Sequence, residues 1–142
     1  MFIEDTLDSV RANDVRAQFA INALAPLFLT QALMSRLTPG AKVALITSRM
    51  GSIGDNQSGG YYGYRLSKAA LNAASVSMAH DLAPRGVAVV ILHPGAVRTE
   101  MTGGQGDFEP DESARGLLRR IDELRLDTTG RFLHQIGNVL PW

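Results

Sequence analysis

The chain has 142 residues, 14 basic side chains balanced by 14 acidic ones, 45% apolar residues and no cysteine. That length suits one domain with a real core; the balanced charge offers no electrostatic case for nucleic acid or an anionic membrane surface. Without cysteine there is no disulfide framework, and three scattered histidines make no ligand cluster, so no metal site is expected.

Residues 1–12 hold acids and a few apolar side chains without a period, and read as a partly ordered lead-in. They contain no basic stretch followed by an apolar core, and no apolar run in the chain approaches the roughly 20 residues of a membrane span, so a soluble, cytoplasmic protein is expected. From Asn13 to Leu37 the apolar positions Val15, Phe19, Leu24, Leu27, Phe28, Leu33 and Met34 follow a helical rise, with Asn13 or Asp14 available as N-cap. Pro26 inside that run predicts a kink near Asn22, because proline has no N–H for the carbonyl four residues back. Thr38-Pro39-Gly40 stops the helix. Lys42–Thr47 is a short β-branched run of the kind buried in a parallel sheet, which puts Ser48 at a strand's carboxyl end, the edge where open α/β sheets bind ligands. A flexible surface loop, Gly51–Gly60, leads to an alanine-rich helix over Tyr61–Ala83 that Pro84-Arg85-Gly86 terminates. Val87–Leu92 is a second buried strand, and strand, helix, strand implies a right-handed parallel crossover. His93 is read as a packing residue. A glycine-rich loop from Glu100 to Asp107, an acid-led helix from Pro110 to about Leu124, an edge strand over residues 130–134 and a tail that docks through Trp142 complete the chain. No repeat or low-complexity segment is present.

Chemistry concentrates at Ser48–Lys68. Tyr64 stands four residues before Lys68, one of only two lysines, so a phenol and an ammonium share one helix face. An adjacent cation favours phenolate and would bring a tyrosine pKa down from roughly 10 towards a working general acid/base. Ser48 could bring a hydroxyl to the same place.

These residues resemble the carboxyl-terminal part of a short-chain dehydrogenase/reductase. Four separated signals occur in that family's order: Asn22 in Phe-Ala-Ile-Asn-Ala-Leu-Ala-Pro, Ser48 in Ser-Arg-Met-Gly, the Tyr64/Lys68 pair, and Pro94-Gly95 with Val97 and Thr99. Within the family, Gly-Tyr-Arg-Leu-Ser-Lys-Ala-Ala-Leu-Asn and the final Leu-Pro-Trp are similar to the C-factor and sniffer-type carbonyl reductases. The resemblance runs from about residue 13 to the end. It implies an α/β fold made of the latter part of a Rossmann-type parallel sheet, one partial NAD(P)-binding domain over residues 1–142. It also implies interconversion of a carbonyl and an alcohol with NADP(H), or else NAD(H). Catalytic roles fall to Asn22, Ser48, Tyr64 and Lys68, and nicotinamide contacts to Tyr64, Lys68, Pro94, Gly95, Val97 and Thr99. Asn22 would hold a water that relays protons to Lys68, and Ser48 would bind the substrate oxygen.

The sequence departs from the family at its start. No Gly-x-x-x-Gly-x-Gly turn for a pyrophosphate occurs, nor the family's Asn-Asn-Ala-Gly segment, and about three strands are expected where the full sheet has about seven. The expectation is a portion of a longer reductase. The alternatives are a non-catalytic module acting through helix-mediated association, or a signalling fragment of the C-factor kind; a homodimer through helices 13–37 and 61–83 is the expected assembly.

Overall fold

The structure, a computed structural model, describes residues 1–142. A single helix, α1 (Ala12–Arg36), opens the regular part of the fold. It is α-helical to Phe19, widens into a π turn over Ala20–Leu24, resumes as α-helix over Ala25–Leu33 and tightens into a 3₁₀ turn at Met34–Arg36. The kink expected from Pro26 takes this form: the carbonyl of Asn22 has no proline N–H to receive, and the π turn is how the helix passes the gap. The predicted cap is different. Arg11 occupies the N-cap without a side-chain bond, and Asn13 Oδ1 accepts from Arg16 Nη1 at 3.2 Å instead. By length and composition alone α1 could cross a membrane, although Gln18, Asn22 and Thr30 interrupt its apolar run. In this fold those three polar side chains are buried.

The sheet contains β1 (Lys42–Ile46), β2 (Ala88–His93) and β3 (Arg131–His134), in that order and all parallel. Lys42 pairs with Ala88 and Val90 with Arg131. Helix α2 (Tyr62–Leu82) crosses from β1 to β2, and α3 (Pro110–Glu123) from β2 to β3. Every residue of β2 except His93 is buried, because helices cover both faces of the sheet. One face packs Leu45, Val87 and Val89 against Ala23 of α1 and Leu71, Met78 and Leu82 of α2. The other packs Ala88, Val90 and Leu92 against Leu124, with Leu117 and Ile121 of α3. Small residues on α2 make the first contact tight: Gly63, Ser67, Ser75 and Ala79 are all buried, whereas Ala69, Ala70 and Ala74 are half-buried and Ala73 is exposed.

The outer edge of β1 has no strand beside it. An apolar groove lies there, lined by Ile21, Leu29 and Leu33 of α1 and Val43, Leu45 and Ile46 of β1. The far end of the chain docks as expected, Trp142 stacking on Phe132 with ring centroids 5.3 Å apart.

Two segments depart from their sequence reading. The loop after β1 is held rather than loose. Arg65 donates to the carbonyls of Met50, Gly59 and Gly60 and to Ser58 Oγ. Arg49 pairs with Asp55, and the N–H of Gly54 donates to the carbonyl of Trp142. Residues 1–5, expected as part of a partly ordered lead-in, lie along α1 and α2, with Ile3 N–H donating to Gln18 Oε1 at 3.0 Å.

Candidate active site

The carboxyl ends of β1 and β2 lie side by side, and Thr47 N–H prolongs the ladder by donating to Leu92 O at 2.8 Å. Ser48 follows at once. Its Oγ accepts from Met50 N–H at 3.1 Å and so caps the 3₁₀ turn Arg49–Gly51. That turn presses on α2 at Lys68: a Cβ on Gly51 would stand 2.8 Å from the Lys68 carbonyl carbon. Glycine is what lets the Ser48 turn approach the helix face that carries Tyr64 and Lys68.

On that face the phenol and the ammonium do meet, with Lys68 Nζ 5.7 Å from the centroid of the Tyr64 ring. The ammonium lies over the ring and donates to Ile46 O at 3.2 Å. The electrostatics therefore run opposite to the sequence expectation. Tyr64 is 9% exposed, and burial pushes its phenol above the usual tyrosine value, with the neighbouring Ser48 hydroxyl pulling the other way. Burial likewise lowers the Lys68 ammonium. Burial thus outweighs the lowering that a neighbouring ammonium was expected to bring to Tyr64.

Asn22 closes the cluster from α1. Its Nδ2 donates to Ser67 Oγ at 3.0 Å and to Met1 O at 2.7 Å, while its Oδ1 accepts from the Met1 nitrogen at 2.8 Å. Ser67 in turn donates to Tyr64 O. Asn22 is thus tied to the backbone of the tyrosine's own turn. Asn22, Ser48, Tyr64 and Lys68 thus lie in one neighbourhood at the sheet's carboxyl edge.

The segment Pro94–Thr99 sits at the adjoining end of β2. Pro94 O accepts from Ser113 Oγ at 2.7 Å. Gly95 has φ +85°, and a Cβ there would meet the Phe108 ring at 2.7 Å, so the turn requires glycine. Val97 bridges to Phe108, and its carbonyl accepts from Thr102 Oγ1. Thr99 is exposed and held within its own loop by Thr102. This segment packs on α3 and β3, with no hydrogen bond to the first four residues. His93 packs against His134 with ring centroids 5.0 Å apart, and burial drives its pKa down to about 4.

Sequence reasoning missed several participants. Asn72, one turn beyond Lys68, accepts from Thr47 Oγ1 at 2.7 Å and leaves a buried Nδ2 without a partner; the spacing Tyr64, Lys68, Asn72 would have found it. Asp5 and Phe2 also reach this helix, a contact no local pattern announces.

Could a nicotinamide nucleotide be held here? Lys68 has one carbonyl as its only hydrogen-bond partner and no carboxylate, so donors for hydroxyl groups are present. The residues suit the nicotinamide-ribose end. No glycine-rich pyrophosphate turn occurs among them.

A parallel α/β sheet with serine, tyrosine and lysine gathered at its carboxyl edge defines a class of nucleotide-dependent folds. Comparison narrows the class. The family described as short chain dehydrogenase matches residues 3–110, and this chain belongs to it. It is 44% identical over 97% of its length to a 1-hydroxy-2-glutathionyl-2-methyl-3-butene dehydrogenase of Rhodococcus sp. (strain AD45), and spans 63% of that protein. It is 47% identical over 96% of its length to C-signal of Myxococcus xanthus, spanning 83% of it. Among solved structures, carbonyl reductase Sniffer of D. melanogaster superposes with a TM-score of 0.92 at 30% identity, over 99% of this chain and 62% of its own. An NADPH-bound carbonyl reductase from chicken fatty liver gives 0.91 at 32% identity, over 100% and 62%. The fold is therefore the latter part of a Rossmann-type sheet, as the sequence predicted.

Proposed function

We propose that this chain carries the proton-transfer half of an oxidoreductase site that interconverts a small-molecule carbonyl and its alcohol with NADP(H) or NAD(H), NADP(H) being favoured by the solved relatives bound to it. The observation that carries this reading is the gathering of Ser48, Tyr64, Lys68 and Asn22 at the sheet's carboxyl edge, with Lys68 lacking any acidic partner.

The roles follow from the groups. A phenol kept protonated by burial suits an acid that gives its proton to a carbonyl oxygen. Ser48 Oγ donates a hydrogen bond to the same oxygen as negative charge develops on it. Lys68 offers its free donors to the ribose hydroxyls. Gly95, Val97 and the Pro94–Thr99 backbone, with Thr99 Oγ1, bound the ring and its carboxamide. Asn22 fixes Ser67 and, through it, the turn carrying Tyr64. When bound, the reduced nicotinamide supplies the hydride. The cytoplasm, where such cofactors are maintained, is the compartment this reading implies.

Titration of the 142-residue chain with NADPH and NADH tests this, read by energy transfer from Trp142, its only tryptophan, and followed by cofactor oxidation with aldehydes and ketones. Saturable binding and oxidation, lost in Tyr64→Phe, support the reading. No binding of either nucleotide at millimolar concentration overturns it for this chain and favours the helix-mediated interaction module.

A further inference from the structure

The first amides of a helix need acceptors from outside it. At the start of α2 the local sequence supplies none: the residues are Gly59, Gly60 and Tyr61, and the N-cap Tyr61 makes no side-chain bond. The acceptor comes instead from 57 positions earlier. The two carboxylate oxygens of Asp5 take the N–H groups of Tyr62 and Gly63, the latter at 3.1 Å, and the backbone carbonyl of Asp5 takes that of Tyr61 at 2.8 Å. Three successive amides thus close on one residue that is 8% exposed. Around it the fit is tight. Tyr61 is the only non-glycine residue with positive φ, at 55°, a conformation that persists only when its surroundings enforce it. A Cβ on Gly63 would lie 3.3 Å from Asp5 Oδ2 and 2.3 Å from Gln18 Nε2.

Tyr64 is the next residue in line. Phe2, on the same segment as Asp5, sets its ring edge-on against Tyr64 with centroids 4.8 Å apart and stacks on Tyr61 at 5.6 Å. The geometry points to Asp5 as a positioning residue for Tyr64: by clamping the first turn of α2 onto the 1–5 segment, it fixes the phenol's direction and holds Phe2 over it as a lid against water. Its chemical consequence rests on the reading of Tyr64 as the proton donor. Burial is the main cause of the raised phenol, and Phe2 supplies part of that burial. Lys68 of the same helix lies over the ring, the Met1 ammonium, held by Asn22 Oδ1, is within Coulombic reach of Lys68, and the Asp5 carboxylate is turned onto the backbone amides of Tyr62 and Gly63. Losing Asp5 admits water and uncovers the positive end of the helix dipole, and both favour phenolate.

The test is nuclear magnetic resonance of the chain labelled at tyrosine Cζ, titrated through the phenol range, with amide hydrogen exchange measured alongside. In Asp5→Ala the Tyr62 and Gly63 amides are expected to lose about tenfold in protection, and the Tyr64 phenol to titrate closer to an ordinary tyrosine. Phe2→Leu leaves the clamp in place, so it is expected to lower the phenol while Tyr62 and Gly63 stay protected; this variant decides the matter if Asp5→Ala does not fold. A phenol unmoved in both variants makes Asp5 a helix cap only and overturns the proposal, as does unchanged amide protection in Asp5→Ala. Turnover that survives Tyr64→Phe would remove the proton-donor reading while leaving this titration result standing.

Discussion

Replacing Gly51 by alanine tests the close approach on which the site is built. The added Cβ would lie 2.8 Å from the Lys68 carbonyl carbon, 2.9 Å from Lys68 Cβ and 3.0 Å from Asn72 Nδ2. Neither Lys68 atom can swing aside, since both belong to the frame of α2, whose buried side chains hold it on the sheet. The turn Arg49–Gly51 must therefore lift, taking the Ser48 cap with it. Overpacking of this kind costs about 1–3 kcal/mol. Gly51 is not among the positive-φ glycines, so alanine suits its backbone and recovers about 0.4–1 kcal/mol by restricting the unfolded chain. The steric term wins, leaving a net loss of about 0.5–2 kcal/mol and a midpoint lower by about 2–6 °C in thermal unfolding followed by circular dichroism. The Met50 amide shift should change as well, because its acceptor is Ser48 Oγ. Gly40→Ala is the contrast: nothing lies within 4 Å of its Cβ, but φ is +90°, so it loses about 1–2 kcal/mol with Met50 undisturbed. A Gly51→Ala protein as stable as the parent, with the Met50 resonance unmoved, would refute the packing argument.

Three further outcomes are expected. His93 titrates at about 4 in the fold against 6.5 in the unfolded chain, chiefly through burial; the unfolded state therefore binds the extra proton between those values, and stability should fall as pH drops from 6.5 towards 4, by on the order of 3 kcal/mol. Denaturant midpoints across that range, flatter in His93→Gln, check it. Lys42 Nζ donates at 2.8 Å to the carbonyls of both Ile121 and Asp122 at the end of α3, so Lys42→Met should cost about 0.3–1 kcal/mol in the same melts. In any form of the protein that turns over, Tyr64→Phe should abolish carbonyl reduction and Lys68→Ala nearly so, measured as cofactor oxidation; substantial activity in either would remove the proposed donor or its partner.

Much of this molecule is local in origin and therefore legible. The three strands and three helices follow from hydrophobic period and from Pro/Gly stops, and their limits fall within a residue or two of expectation. The π turn at Asn22 follows from Pro26, since an absent N–H is a property of one residue. Tyr64 and Lys68 share a face because four residues make one turn. What such patterns cannot carry is anything that depends on a partner distant in the chain. Lys68 was expected to depress Tyr64, yet burial of the phenol outweighs it, and the side-chain direction that puts the ammonium over the ring, donating to Ile46 O, is set by packing between α2 and β1. Asp5 and Phe2 looked like lead-in residues because the helix they cap and cover begins more than fifty positions later. Spacing along the sequence determined which groups could share a helix face or a strand end. Only the tertiary structure decided what surrounds them, because burial and hydrogen-bond partners are properties of the assembled surfaces and no single segment contains them.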